Sequence, residues 1–536
     1  MIKTPYDVVI VGGGHNGLTA AAYLARAGKS VFLLEREDHL GGAAVSAAAF
    51  EGVDARLSRY SYLVSLLPKQ IIDDLGLDIE LARRRYSSYT PIPGDTTGGL
   101  LIDSGDADAT RLSFGRVGGG TDTDFDAMRG FNTDTERLAR ALFPTVCGPL
   151  PTRSEARKML DDNALWGEFI EKPLGQAIVQ RFENDLVRGV LATDALIGTF
   201  TSLDDPSLEA NRCFLYHVIG NETGDWDIPI GGMGVVSREL ERAARAAGAD
   251  LVTGAEVISI SADGDVRYRL QDEEHVVEGG RILVNVAPWV LRGLLGDDNN
   301  EEIARPEGAQ VKVNLLLSRL PRLHDESVRP EAAFGGTFHI NEGYGRLESA
   351  FHEALQGSIP DPLPCEIYCH SLTDPSILSP ELTAAGAQTL TVFGLHTPDR
   401  WINEENNDAS RDRLQAAVLR SLNSVLAEPI EDLILKDATG KPCIETKTTL
   451  DLEHALNMTG GNIFHGPLQW PFLEDDAPRN TAAERWGVDT SNPRILLCGA
   501  GARRGGGVSG LGGHNAAMAV LEDPPINRNN LRDTMQ

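Results

Sequence analysis

The chain has 536 residues, 41% hydrophobic and 24% charged, the ordinary range for a globular protein able to bury a large core in two or three domains. Its 49 basic and 78 acidic residues leave a net charge of −29, which argues against nucleic acid and against an anionic membrane surface as partners. No run is long and apolar enough to span a bilayer, the first strand begins within a few residues of Met1, and the six scattered cysteines show no zinc or redox spacing. A cytoplasmic protein with core thiols, no metal and no disulfide-reductase chemistry is expected.

The first segment, from Tyr6, reads as an apolar strand over Val8–Val11, a glycine turn, a helix, and a second strand ending on Glu35. Gly12, Gly14 and Gly17 stand at the G-x-G-x-x-G spacing: the first permits the turn, the second a close approach to a pyrophosphate, the third close packing of helix on strand. His15 and Asn16 open the helix, whose free N–H groups and positive end suit phosphates. Glu35 lies where a carboxylate accepts from ribose hydroxyls. An adenine dinucleotide is expected; a glycine turn in an ordinary βαβ unit leaves Glu35 unexplained. After Arg36 a second glycine pair, Gly41-Gly42, would let backbone pass close to a long ligand, and Ala43 follows it.

Further along, Tyr60–Leu67 with Ile71 and Ile72 is apolar, either buried or dipping into a membrane surface. Residues 95–125, rich in Gly, Asp and Thr, read as hairpins or an irregular excursion. Helical periodicity marks Asp134–Leu142, Ser154–Leu160 and Gly167–Gln180. A third glycine cluster, Gly231-Gly232-Met233-Gly234, precedes a helix over Arg238–Ala247. With Asp227 and Pro229 before it and Ser237 at the third fingerprint position, it is a poor NAD(P)H site. Val252–Ile260 and Arg281–Val286 read as strands rejoining the first sheet. Gln310–Leu317 and Thr389–His396 suggest an antiparallel sheet, and 410–426 a helix.

Near the C-terminus, Arg494–Cys498 is a short buried strand running into Gly499-Ala500-Gly501. Gly505-Gly506-Gly507-Val508-Ser509-Gly510 follows, then a helix start over Leu511-Gly512-Gly513-His514-Asn515. A glycine turn and helix N-terminus far from the first βαβ unit suit the other end of one long cofactor.

These stretches resemble one family. The E-x(5)-G-G continuation after Glu35 is similar to glutathione-reductase-like flavoproteins. With the run Leu456–Gly466 (LNMTGGNIFHG) and Cys498–Ala517, the chain resembles the phytoene desaturase family of amine-oxidase-like flavoproteins, in the branch of pyridine nucleotide-disulfide oxidoreductase domain-containing protein 2. The resemblance implies FAD, with Val257 contacting adenine through its backbone and Gly499, Gly501, Gly507, Val508, Gly510 and Asn515 along the ribityl chain and flavin. The expected α/β fold is a discontinuous Rossmann-like FAD domain (1–94, 226–300, 488–521). It is interrupted by a substrate domain of mixed or antiparallel sheet (95–125, 301–487) and a helical subdomain (126–225), and followed by a loose tail (522–536). The chain departs from the family at Ala43, at Ala502-Arg503-Arg504 and at His514, beside the expected flavin.

The implied reaction is dehydrogenation or desaturation: a hydride leaves a substrate C–H for flavin N5 and a double bond forms. The substrate is a small lipophilic or cyclic molecule, and the acceptor is oxygen or a quinone. Membrane contact is peripheral at most. His465 and His514 are candidate proton carriers, or they hydrogen-bond backbone or cofactor. Trp470 and Phe464 line a pocket or the core. Arg503 and Arg504 bind an acidic substrate group or sit on the surface. Two other readings stand beside this one: an oxygen-using amine oxidase, for which Lys312 is the only lysine in the expected substrate sheet, and a flavin-bearing protein without turnover.

Overall fold

The computed structural model describes residues 5–95, 98–118, 122–297 and 304–523. The tail from 524 on lies outside them, as do the ends of several expected segments. Tyr6–Val11 is the centre of a parallel sheet. It pairs with Val31–Leu34 on one side and Glu273–Val284 on the other, with Asp250–Val252 and Ile495–Leu497 at the two edges. A central parallel strand is covered on both faces, which is why Val8–Val11 is continuously apolar. Val8 and Ile10 face a core shared with helices His15–Arg26, Gly234–Ala246 and Leu511–Glu522. Val9 and Val11 face a second core with Phe32, Ala255, Ile260 and Val266.

That second core belongs to a meander. Glu273–Val284 runs beyond the parallel sheet and pairs antiparallel with Asp265–Leu270, which pairs with Ala255–Ile260. The expected single strand Val252–Ile260 is thus two. Gly254, at φ +69°, turns the chain so that Asp250–Val252 stays in the parallel sheet and Ala255–Ile260 leaves it.

The second sheet is mixed. Its strand order is Ile444–Lys447, Val311–Leu317, Gln388–Gly394, Cys365–Tyr368, Thr337–Ile340, Tyr86–Pro91, Gly99–Asp103, antiparallel except between Thr337–Ile340 and Tyr86–Pro91. Residues 86–91, read above with the nucleotide half, therefore pair in the other sheet. Residues 95–125 hold more regular structure than expected: after strand Gly99–Asp103 comes helix Ala107–Val117, capped by the Asp106 carboxylate, which accepts from the N–H groups of Asp108 and Ala109. Along the sheet, Val313, Val392, Ile367 and Phe338 face an apolar core with Leu414, Val418 and Leu422 of helix Asn407–Asn423. The alternate residues point the other way: Lys312 reaches Ser58 O, and His339 pairs with Glu342, which accepts from Thr193 of the helical part.

The helical part packs Phe131, Phe169, Phe182 and Phe214 around one another. The expected helix Gly167–Gln180 is broken: Asn163–Ile170 ends, and Leu174–Arg181 restarts after Pro173, whose ring cannot continue a helix. Leu63, Val64, Leu66, Leu67 and Ile71 are buried, which leaves no apolar patch there to dip into a membrane. Among the described residues no helix is long and apolar enough to cross one.

Candidate active site

A cavity of about 810 Å³ runs between the two sheets. Of the residues singled out in the sequence, Gly12, Gly14, His15, Asn16, Glu35, Arg36, Gly42, Ala43, Val257, His465, Gly507 and Val508 line it. Gly12 adopts φ +98°, and a Cβ on Gly17 would lie 2.2 Å from Gly12 O, so the helix can sit on the strand only without that carbon. Gly14 caps the helix with no side-chain partner, and its first turn carries no acid; its N–H groups remain for an anion. Glu35 is fixed at the end of its strand: Oε2 accepts from Gly13 N at 2.6 Å and Oε1 from Glu37 N at 2.9 Å. Arg36 reaches across and donates to the carbonyls of His454 and Ala455.

Other chosen glycines act behind the wall. Gly41, at φ +122°, donates to Gly13 O at 2.9 Å and packs against Ser237. Gly499, Gly501 and Gly510 pack against Asn285, Pro288 and Thr19, where a Cβ would meet atoms under 3.0 Å away. The C-terminal loop is tied to the first helix: His15 Nε2 lies 2.9 Å from Gly507 O, and Asn16 Nδ2 donates to Gly505 O at 3.2 Å. Asn16 Oδ1, Gln310 Nε2 and His465 Nδ1, all on residues lining the cavity, are buried without a partner. The lining has the length, the bare helix start and the unused polar atoms that a dinucleotide requires.

The two histidines fare differently. His465 lines the cavity at φ +62°, and burial, with His15 beside it, pushes its pKa down to about 4. It is neutral at neutral pH. His514 does not line the cavity. Its ring packs edge-on to Tyr23 at 5.0 Å and against Trp486 at 6.1 Å, and Nδ1 pairs with Asn515 Oδ1 at 2.9 Å. His514 and Asn515 belong to the core under the helix start, so a proton-carrier role for His514 has no route to the cavity. Arg504 is buried and donates to Thr145 O and Gly148 O at 2.7 Å; Arg503 donates to Phe472 O at 3.1 Å. They tie loops together; Arg504 is buried, Arg503 is half-buried, and neither lines the cavity. Phe464 lines the cavity, whereas Trp470 stacks on Phe472 in the core.

The glycine cluster at 231–234 is occupied by protein. Gly231 N and Gly232 N donate to Asp374 Oδ2, and Gly234 N donates to Ser46 Oγ at 2.9 Å. Phosphate has no free N–H groups to bind there.

The far end of the cavity is aromatic and was largely missed in the sequence. Tyr62 lies 4.8 Å from Phe393 and stacks parallel to Trp226 at 6.2 Å; Tyr216 meets Phe464 at 5.0 Å. Ile197, Gly198, His217 and Lys312 complete this end. The acids lining the cavity, Glu35, Glu37 and Glu256, belong to the nucleotide end. Lys312 Nζ donates to Ser58 O at 2.9 Å and Ser61 O at 3.3 Å and lies over the Phe393 ring. Burial pushes its pKa down to about 7, with Glu445 opposing and Lys447 and Arg59 adding to the fall. Lys312 is not alone in its sheet: Lys447 is its register partner on the edge strand.

Comparison with known proteins agrees with this frame. Residues 10–68 match the model of an NAD(P)-binding Rossmann-like domain. Residues 122–439 match that of flavin containing amine oxidoreductases, more than half of the chain. An uncharacterized protein of Mycobacterium tuberculosis is 55% identical, covering 96% of this chain and 97% of that one. The mouse pyridine nucleotide-disulfide oxidoreductase domain-containing protein 2 is 29% identical, covering 97% and 94%. Among solved structures, a putrescine oxidase carrying one substitution, made in a redesign of its cofactor binding, aligns with a TM-score of 0.57 at 18% identity, covering 96% and 98%. The chain is an FAD-dependent oxidoreductase and belongs to the family of flavin containing amine oxidoreductases.

Proposed function

We propose that this protein dehydrogenates a neutral, apolar or cyclic substrate, taking a hydride from a C–H bond and leaving a double bond. The observation that carries this reading is the aromatic end of the cavity: among the described residues no carboxylate lines it, and an amine substrate, cationic at neutral pH, has no counter-ion there. FAD supplies the hydride acceptor.

The chain's own residues would do the rest. The helix start at Gly14–Asn16 and Gly42 would hold the pyrophosphate, Glu35 the ribose, and the Val257 backbone the adenine. Gly507, Val508 and His465 lie along the flavin end. Tyr62, Trp226, Phe393 and Phe464 position a flat or apolar substrate and exclude water. The electron acceptor is oxygen or a quinone, and the protein works in the cytoplasm.

One observation favours a second reading, oxygen-dependent amine oxidation: Lys312, a buried amine in an aromatic wall, has the residue type expected beside the flavin of amine oxidases. A matched pair separates the two. Cyclohexanone and cyclohexylamine are titrated into the holoenzyme while the flavin absorption spectrum is followed. Perturbation by the ketone alone supports dehydrogenation of neutral substrates; perturbation by the amine alone overturns it.

A further inference from the structure

The cavity-side face of the second sheet carries its titratable groups in register. Lys447, Lys312, Phe393, Glu366 and His339 are successive cross-strand partners over five strands. Glu445, Asn314, Thr391, Tyr368 and Thr337 form the adjacent row. A buried sheet face is ordinarily apolar, as the opposite face of this one is.

From the cavity wall a line of polar side chains leads away through these rows. Tyr62, in the cavity wall, has its ring 4.9 Å from that of Tyr368; burial pushes the Tyr62 phenol well up, with Tyr368 opposing. Tyr368 donates to Glu366 Oε1. Glu366 lies directly opposite His339, whose Nδ1 is 2.6 Å from Glu342 Oε2, and Thr193 donates to the same oxygen at 2.8 Å. Glu342 is 0% exposed; Glu366 and His339 are 2% exposed.

A cluster serving structure alone would have its polar atoms satisfied. Here Glu366 Oε2 and Glu342 Oε1 are buried without a partner. Two carboxylates around one imidazole, out of water, cannot all ionise independently, so the group holds a proton that the members share. We propose that Tyr62, Tyr368 and Glu366 form a proton relay, with Tyr62 taking the proton that the substrate releases and Glu366, backed by His339 and Glu342, storing it. The inference rests on the reading of the aromatic end as the substrate site.

One substrate C–H bond breaks and its electron pair leaves as hydride to FAD. The neighbouring C–H bond breaks, its pair becomes the π bond, and its proton binds the Tyr62 oxygen. The Tyr62 O–H proton passes to the Tyr368 oxygen, and that of Tyr368 to the Glu366 carboxylate. Glu366 ends as the neutral acid.

Burial and the Glu342 carboxylate push Glu366 well above the usual carboxylate range, against the pull of His339. His339 is itself disfavoured as a cation by burial, but Glu342 and Glu366 raise it overall. The charged and titratable groups facing Glu366 and its tyrosine partner are Tyr368 and Tyr62, His339 and Glu342, His370 stacked on Tyr368, Asp194 beyond helix Asp185–Ala192, and Arg84 ahead of strand Tyr86–Pro91.

The test has two arms on the holoenzyme. Infrared difference spectra between wild type and E366Q are expected to show a protonated-carboxyl stretch at neutral pH. That stretch is lost in E366Q and shifted by Y62F, which removes one oxygen at the far end of the line. In the second arm, flavin bleaching by a neutral cyclic substrate is followed against pH in H2O and D2O. The rate is expected to rise as Glu366 ionises, with a solvent isotope effect; E366Q flattens the profile and Y62F slows the step by about 10²-fold. A missing band, or one that responds to Y368F but not to Y62F, overturns the relay. If no neutral substrate bleaches the flavin, the substrate reading fails, and the infrared arm still decides whether the three groups are coupled.

Discussion

Replacing Lys312 with Met tests how the substrate end of the cavity is built. Lys312 is buried, and its pKa falls from 10.5 to about 7. Between those values the unfolded chain binds a proton that the folded chain does not, so lowering the pH favours unfolding. At about 1.4 kcal/mol per pH unit, the penalty reaches about 5 kcal/mol at pH 7 and stays constant below it. Lys312→Met removes this titration, along with two hydrogen bonds to Ser58 O and Ser61 O whose loss adds an offset independent of pH. Urea unfolding of both proteins, at several pH values between 7 and 10.5 and one below, gives the difference. The wild type is expected to gain on the variant with a slope of about 1.4 kcal/mol per pH unit over that window and to level off below it. A difference flat across the window refutes the reasoning: Lys312 would then keep its charge in the folded protein, and the aromatic end would be a cationic site.

Gly17→Ala places a carbon 2.2 Å from Gly12 O; the purified variant is expected to emerge without bound FAD, as read by its absorption spectrum. Burial lowers His15 and His465 to about 4 and His370 and His396 to about 3. With folded pKa values below the ordinary 6.5, each stabilises the fold only as the neutral ring. Stability is therefore expected to fall as pH drops from 6.5 towards 4, and Tm against pH measures it. Asp374→Asn weakens two charge-assisted bonds to Gly231 N and Gly232 N, at a cost of about 1.5–3 kcal/mol. NADPH is expected to bind neither protein, by equilibrium dialysis. His514→Gln is expected to leave the pH dependence of flavin reduction unchanged, because the ring lies outside the cavity.

The nucleotide half was legible because its signals are local. The glycine spacing, the apolar strand and Glu35 lie within one βαβ unit, and each constraint is a contact between near neighbours in sequence. The aromatic end was not legible. Tyr62, Tyr216, Trp226 and Phe393 come from distant segments, and nothing local distinguishes a cavity aromatic from a core one, as the contrast between Phe464 and Trp470 illustrates. The polar row was hidden for the same reason: Glu366 and His339 meet only through register between two strands, and Lys447 joins Lys312 only once the edge strand is paired. Arg503 and Arg504 looked like substrate ligands or surface charge because a sequence does not show which carbonyls a buried guanidinium reaches. The helix Ala107–Val117 was overlooked because the Gly, Asp and Thr around it outweighed a single good cap at Asp106.

The most direct measurement is the visible spectrum of the purified yellow protein under anaerobic conditions, before and after adding NADPH, then neutral cyclic compounds, then amines. The account predicts that a neutral compound bleaches the flavin while NADPH and amines do not. Bleaching by amines alone, or by NADPH, would contradict it.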